Sequence, residues 1–87
     1  MSRVLIETPD SVAASLLQQR LQVDMELVRL PGRCELRCAD IRLAELAGVL
    51  SAVEHWMIEV GLGSVAVRLD ERSYVLISGE PSGRNAL

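Results

Sequence analysis

The sequence predicts an α+β fold, a two-layer sandwich in which two helices lie on one face of a mainly antiparallel sheet. The chain has 87 residues, a length typical of one domain. Hydrophobic residues make up 49% of it, which is enough for a folded core. Short segments of alternating polar and apolar residues surround two longer segments with helical spacing, in the order β-α-β-β-α-β-β.

The first strand is predicted over residues 3–7, where Val4 and Ile6 share one face. The first helix is predicted over residues 9–22, because Thr8 can cap its N-terminus and a proline and an aspartate follow. The apolar side of this helix is predicted to contain Val12, Ala13, Leu16, Leu17 and Leu21.

A β-hairpin is predicted next, with arms over residues 25–30 and 33–39 that are joined by a Pro31-Gly32 turn. The second arm alternates cleanly, so its apolar residues fall on one face. These apolar residues are Cys34, Leu36 and Cys38.

The second helix has the strongest pattern in the chain. Asp40 is its predicted N-cap, and Gly61 and Gly63 are predicted to end it. Its predicted buried stripe follows spacings of three and four residues and contains Leu43, Leu46, Leu50, Val53, Met57 and Val60.

Two more strands are predicted over residues 65–69 and 73–78, on either side of a tight turn at Asp70-Glu71. Residues 1–78 therefore form a single predicted domain. The polar residues 79–87 are predicted to be a flexible C-terminal tail.

The first six predicted elements match the split β-α-β arrangement of ferredoxin-like folds, and the last strand would extend the sheet. This is a resemblance in element order alone, and a fold of this kind does not define a function.

The charge and hydropathy of the chain exclude several classes of partner. The formal net charge is -3, and the nine basic residues, all Arg, are scattered among twelve acidic ones, so we expect no nucleic-acid binding. No apolar run approaches the about 18 residues of a membrane span, and the N-terminus has no signal-peptide pattern. We therefore expect a cytoplasmic protein without a membrane partner. The absence of Lys and Phe is typical of a G+C-rich genome and favours a bacterial source.

The spacing of Cys34 and Cys38 suggests a metal or redox site, but strand geometry argues against one. Four residues of a strand span about 13 Å, whereas a disulfide needs Cα atoms within about 7 Å. We therefore expect two reduced thiols that serve as small core residues, and no metal or other cofactor.

His55 is the only histidine, and Glu59 follows it by one helical turn. The pair could act as a proton switch or as part of a metal site. A solvated helix face is favoured, because one histidine and one carboxylate are too few ligands for a dedicated metal site.

No catalytic motif surrounds any serine, and no phosphate-binding glycine loop is present. The sequence Gly61-Leu62-Gly63 follows a helix, whereas phosphate loops precede one. We therefore predict no catalytic residue and a non-enzymatic protein. An enzyme that uses His55, Glu59 and an arginine is a less favoured hypothesis.

Three arginines, Arg29, Arg33 and Arg37, cluster around the hairpin. They could form an anion site. A solvated ladder of cross-strand charges with Glu26 and Glu35 is the favoured interpretation.

Two helices can cover only one face of the sheet, which leaves apolar residues on the other face. Leu5 and Ala66 are predicted to lie there with one set from the last strand, either Tyr74 and Leu76 or Val75 and Ile77. Trp56, at the edge of the apolar stripe, could be partly buried or could anchor an interface. The predicted interface residues are Leu5, Trp56, Ile58, Tyr74 and Leu76.

These features favour a protein–protein interaction or regulatory module that acts as a small homodimer, through stacked sheet faces or paired edge strands. The alternative is a small-molecule sensor with a ligand site between chains.

Overall fold

The structure, a computed structural model, describes residues 2–77 and contains the seven elements in the predicted order. The elements are β1 (Ser2–Thr8), α1 (Ser11–Arg20), β2 (Glu26–Leu30), β3 (Arg33–Ile41), α2 (Leu43–Val60), β4 (Ser64–Leu69) and β5 (Arg72–Ile77). The predicted last residue of the fifth strand, Ser78, and the predicted tail over residues 79–87 lie outside the described residues.

The five strands form one sheet in the order β2-β3-β1-β4-β5, and every neighbouring pair is antiparallel. The N-terminal strand β1 is therefore central, while β2 and β5 are the two edges. The predicted α+β class is confirmed.

Strand periodicity places the core on one face of this sheet, as predicted. Ile6 lies opposite Leu36 on β3 and opposite Val67 on β4, and directly opposed residues point to the same side. All three side chains are buried in one cluster with apolar residues of both helices. Both helices therefore cover this face, and the residues that alternate with the core set lie on the other.

The predicted stripe of α2 is confirmed in part: Val53 and Met57 are buried, and Leu46 and Val60 are partly buried against the core, but the centre of the buried side is rotated. The residues it buries are Val49, Val53, Trp56 and Met57. Leu43, the first residue of the predicted stripe, is 81% exposed. Most faces of this helix carry apolar residues, so spacings of three and four fit more than one rotation. The observed rotation buries Trp56, which has the largest apolar surface of any side chain in the helix.

The start of α1 also differs from the prediction. Asp10, not Thr8, is the N-cap, and its carboxylate accepts a hydrogen bond from the backbone N–H of Ala13 at 2.8 Å. Thr8 instead ends β1, where its hydroxyl donates to the backbone carbonyl of Cys34 at 2.9 Å in a buried position. The buried side of α1 consists of Ala13, Ala14 and Leu17, while Val12 is 70% exposed.

Asp40 does not cap α2, because β3 continues through it to the buried Ile41. The N-cap is Arg42, whose backbone N–H donates to the side chain of Glu45 at 3.1 Å. Pairing of Ile41 with Ser2 of β1 extends β3 beyond the predicted arm, and this takes Asp40 into the strand.

Two turns depend on a left-handed backbone. Gly32 has φ of 80°, the value that the second central residue of a type II turn requires after Pro31. Asp70 has φ of 56° and forms reciprocal bonds with Arg3: its carboxylate accepts from the Arg3 N–H at 3.0 Å, and its own N–H donates to the Arg3 carbonyl at 2.8 Å. These bonds join the β4–β5 turn to the start of β1.

Candidate functional site

The face of the sheet opposite the helices, here called the open face, is the main candidate for a functional surface. The register places on it Leu5, Glu7, Glu26, Val28, Leu30, Arg33, Glu35, Arg37, Ala66, Arg68, Val75 and Ile77. Apolar and charged side chains are interspersed on this surface.

On the β2–β3 side of the open face, a cluster of ion pairs surrounds Glu35. The Nε and Nη2 atoms of Arg37 donate to Glu35 Oε1 at 3.0 and 2.7 Å, and Arg33 Nη2 lies 3.4 Å from Oε2. The Glu35 side chain is only 5% exposed although it points away from the core, whereas both arginine side chains are about half exposed. The two guanidinium groups contact the carboxylate, and each arginine keeps part of its side chain in water.

Replacement of Glu35 by glutamine is expected to lower the free energy of unfolding by about 1 kcal/mol, because it removes the charge from two hydrogen-bonded ion pairs. Urea denaturation followed by circular dichroism measures the change. The exposed Glu54 of α2 supplies the matched control, Glu54→Gln, which should have little effect. Equal stability of the two variants would contradict a structural role for Glu35.

The predicted cluster of three arginines is not formed. Arg29 lies opposite Cys34, whose buried side chain belongs to the helix-covered face. Arg33 and Arg37 lie on the open face, two residues to either side of Glu35 on the same strand. The ion pairs therefore run along β3. The predicted cross-strand ladder is present in register only: Glu26 lies opposite Arg37, but no ion pair joins them within residues 2–77.

A cleft of about 620 Å³ opens at the end of the open face where β1 begins. Leu5 lies in it between Arg37 on β3 and Arg68 on β4, both directly opposite it in register. Six charged residues line the cleft: Arg3, Glu26, Arg37, Arg68, Asp70 and Glu71. Neither Arg3 nor Arg68 forms an ion pair within the described part of the chain.

The edge strand β5 carries the second candidate surface. Val75 and Ile77 are 64% and 73% exposed and lie on the open face, opposite Ala66 and Ser64 of β4. Tyr74 lies on the other face, opposite Val67, and is also exposed. Of the two sets left open by the sequence, the open face therefore takes Val75 and Ile77.

The five predicted interface residues are not brought together. Trp56 is fully buried, and its indole N–H donates to the backbone carbonyl of Ala13 at 2.8 Å, so its interpretation as an interface anchor is wrong for the folded chain. Ile58 is exposed on α2, and Leu5 is half-buried on the open face. Tyr74 and the half-buried Leu76 lie on the helix side of β5.

Neither cysteine is in a disulfide. Cys34 is buried and Cys38 half-buried on the core face, as the alternation of β3 predicted. Within residues 2–77, no group of three or more His, Cys, Asp or Glu side chains is arranged to hold a metal ion.

His55 is exposed on α2, and its Nδ1 lies 3.0 Å from the backbone carbonyl of Ser51. Glu59, its predicted neighbour, instead pairs with Arg20 of α1. The expected solvated face is confirmed for His55, and Glu59 serves to join the two helices.

Neither described helix is long and apolar enough to cross a membrane. Comparison with protein-family models, curated proteins and solved structures finds no match to this chain.

Proposed function

We propose that this chain is a non-enzymatic protein–protein interaction module that acts as a homodimer, and that β5 is the strand through which two copies associate. The observation that carries the proposal is the exposure of Val75 and Ile77 on an edge strand. An edge strand has unpaired backbone groups that can template pairing with another chain. Proteins often block such edges with lysine or proline, and β5 contains neither.

The ferredoxin-like assignment is part of this proposal. It is supported by the order β2-β3-β1-β4, in which β1 is central and each helix connects two strands that are not neighbours. The additional strand β5 (Arg72–Ile77) lies beyond β4 and forms the edge of the sheet. Its second half is apolar.

Edge pairing is favoured over stacking of two open faces because of charge. Stacking would remove from water the Arg33–Glu35–Arg37 cluster and also Arg68, which forms no ion pair within residues 2–77. The desolvation of ionised groups costs several kcal/mol for each ion that is not fully compensated. Pairing at β5 buries apolar side chains and leaves these charges solvated.

A twofold axis at β5 would align the strand antiparallel to its copy, and the same residues would then contribute from both chains. With the axis at Val75, each Val75 would face its copy, and Tyr74 would face Leu76 of the second chain. Aromatic and β-branched residues are favourable in such cross-strand positions. The two five-stranded sheets would become one continuous ten-stranded sheet with all helices on one side.

Val75→Lys is expected to convert the dimer to a monomer at micromolar concentration. It removes an apolar side chain and places two like charges near the twofold axis, where they repel each other. Light scattering coupled to size-exclusion chromatography measures the mass, which should fall from twice 9.5 kDa to 9.5 kDa.

The matched control is Val12→Lys on α1, which changes the same residue type at similar exposure, 70% against 64%. It should leave the dimer intact. A wild-type mass of one chain would overturn the proposed dimer, and a dimer that only Val12→Lys disrupts would move the interface to the helices.

A further inference from the structure

The cleft at the end of the open face has features of a ligand site that the proposed dimer does not use. It lies over β1, β3 and β4, away from the β5 edge through which two copies would pair. Its volume of about 620 Å³ falls within the range typical of small-molecule sites.

The first feature is a preoriented guanidinium. Glu35 holds Arg37 by its Nε and Nη2 atoms. A guanidinium has five N–H donors, so Arg37 keeps donors for a further acceptor. Because Glu35 is almost fully buried, this orientation is maintained without a ligand.

The second feature is an arginine that has no acidic partner among the described residues. Arg68 lies on the other side of Leu5 from Arg37, and it forms no ion pair with any residue between 2 and 77. Neighbouring strands are about 4.8 Å apart, so the Cα atoms of these arginines are separated by about 10 Å. Both side chains are long enough to meet one ligand above Leu5.

The third feature is the balance of charge. Three arginines and three carboxylates line the cleft, so its formal charge is zero. Glu26, Asp70 and Glu71 would repel a multiply charged anion such as a nucleotide. A carboxylate suits the planar arginine fork, and an ammonium group suits the carboxylates.

We propose that this cleft binds a small zwitterion of the free α-amino acid class. The ligand carboxylate is held between Arg37 and Arg68, and the ammonium group faces the acidic residues of the cleft. Leu5 forms the apolar floor below the ligand.

The test is a titration of the 87-residue chain with each of the twenty common amino acids, in which binding is detected by amide chemical shifts in ¹H–¹⁵N spectra. At least one amino acid is expected to shift the amides of Leu5, Arg37 and Arg68 saturably. Acetate and ethylamine, which each carry one of the two charges, should bind at least about tenfold more weakly. Inorganic phosphate should not compete.

Arg68→Gln is expected to weaken binding by at least about tenfold, because it removes a charged donor. Arg29→Gln is the matched control, since Arg29 lies on the other face of the sheet. Val75→Lys should still bind the amino acid, and Arg68→Gln should still have the mass of a dimer. The two proposals are therefore tested independently, and failure of one leaves the other testable.

Three outcomes would overturn the proposal. One is the absence of any local shift with all twenty amino acids at about 10 mM. Another is tighter binding of phosphate than of any amino acid. The third is equal loss of affinity in Arg68→Gln and Arg29→Gln.

Discussion

Replacement of Trp56 by alanine is expected to lower the free energy of unfolding by about 3–5 kcal/mol. Trp56 is fully buried between the helices and the sheet, and it is the largest side chain in the core. The substitution leaves a cavity and also removes the hydrogen bond to the Ala13 carbonyl, which joins α2 to α1. Small domains have total stabilities of about 5–15 kcal/mol, so this variant should be close to unfolding at ambient temperature.

Urea denaturation followed by far-ultraviolet circular dichroism measures this effect, because Trp56 is the only tryptophan and its fluorescence is lost in the variant. All variants should be compared at one protein concentration, since the proposed dimerisation would contribute to apparent stability. The neighbouring Ile58, which is 66% exposed, gives the control Ile58→Ala, expected to change stability by less than about 1 kcal/mol.

Trp56→Phe separates the two contributions. It keeps much of the apolar volume but removes the indole N–H, so it should cost less than the alanine variant while leaving the Ala13 carbonyl without its partner. If Trp56→Ala and Ile58→Ala were equally stable, the observed rotation of α2 would be wrong.

Met57→Ala is expected to cost about 2–5 kcal/mol, because Met57 is fully buried on the same side of α2 as Trp56. Leu43→Ala should change stability by about 0.5 kcal/mol or less, because Leu43 is exposed in the first turn of the helix. The same denaturation measurement compares them. Both residues belong to the buried stripe that the sequence predicted. If that stripe were the buried side of α2, both substitutions would lower the stability.

If Leu43→Ala greatly lowered the stability at fixed protein concentration, contact of Leu43 with a second copy of the chain would also explain the result. The apparent stability of such a variant would depend on protein concentration, whereas a loss of core packing would not. Denaturation at two concentrations distinguishes the two cases.

The strands could be predicted from the sequence because their signal is local. Alternation along β1 and β3 defines one buried face, and Val4, Ile6 and Leu36 are buried as expected. A period of two leaves only two choices of face, and the apolar set is the buried one.

The helix faces and caps could not be predicted in the same way. In α2, several rotations bury a continuous apolar stripe, and packing against α1 through Trp56 and Ala13 determines which is used. Thr8, Asp10 and Asp40 are all suitable caps by residue type. Of these three residues, only Asp10 acts as an N-cap. The reason is the length of β1 and β3, which pairing between the strands determines and which places Thr8 and Asp40 within strands.

The candidate sites depend on register, which the sequence does not contain. Arg29 and Arg33 belong to the same hairpin but lie on opposite faces, because Arg29 is aligned with Cys34. The placement of Arg37 and Arg68 on either side of Leu5 requires three strands that are distant in the chain. Composition predicted scattered arginines, and the topology brings three of them, Arg3, Arg37 and Arg68, to one ligand-sized cleft.

The central position of β1 has a consequence for synthesis of the protein. Translation proceeds from the N-terminus, so β1 leaves the ribosome well before both of its neighbours, β3 and β4. Until β4 emerges, the nascent chain exposes an apolar strand that lacks at least one partner, a condition that favours chaperone binding or aggregation. Its many non-local pairings also favour slow folding.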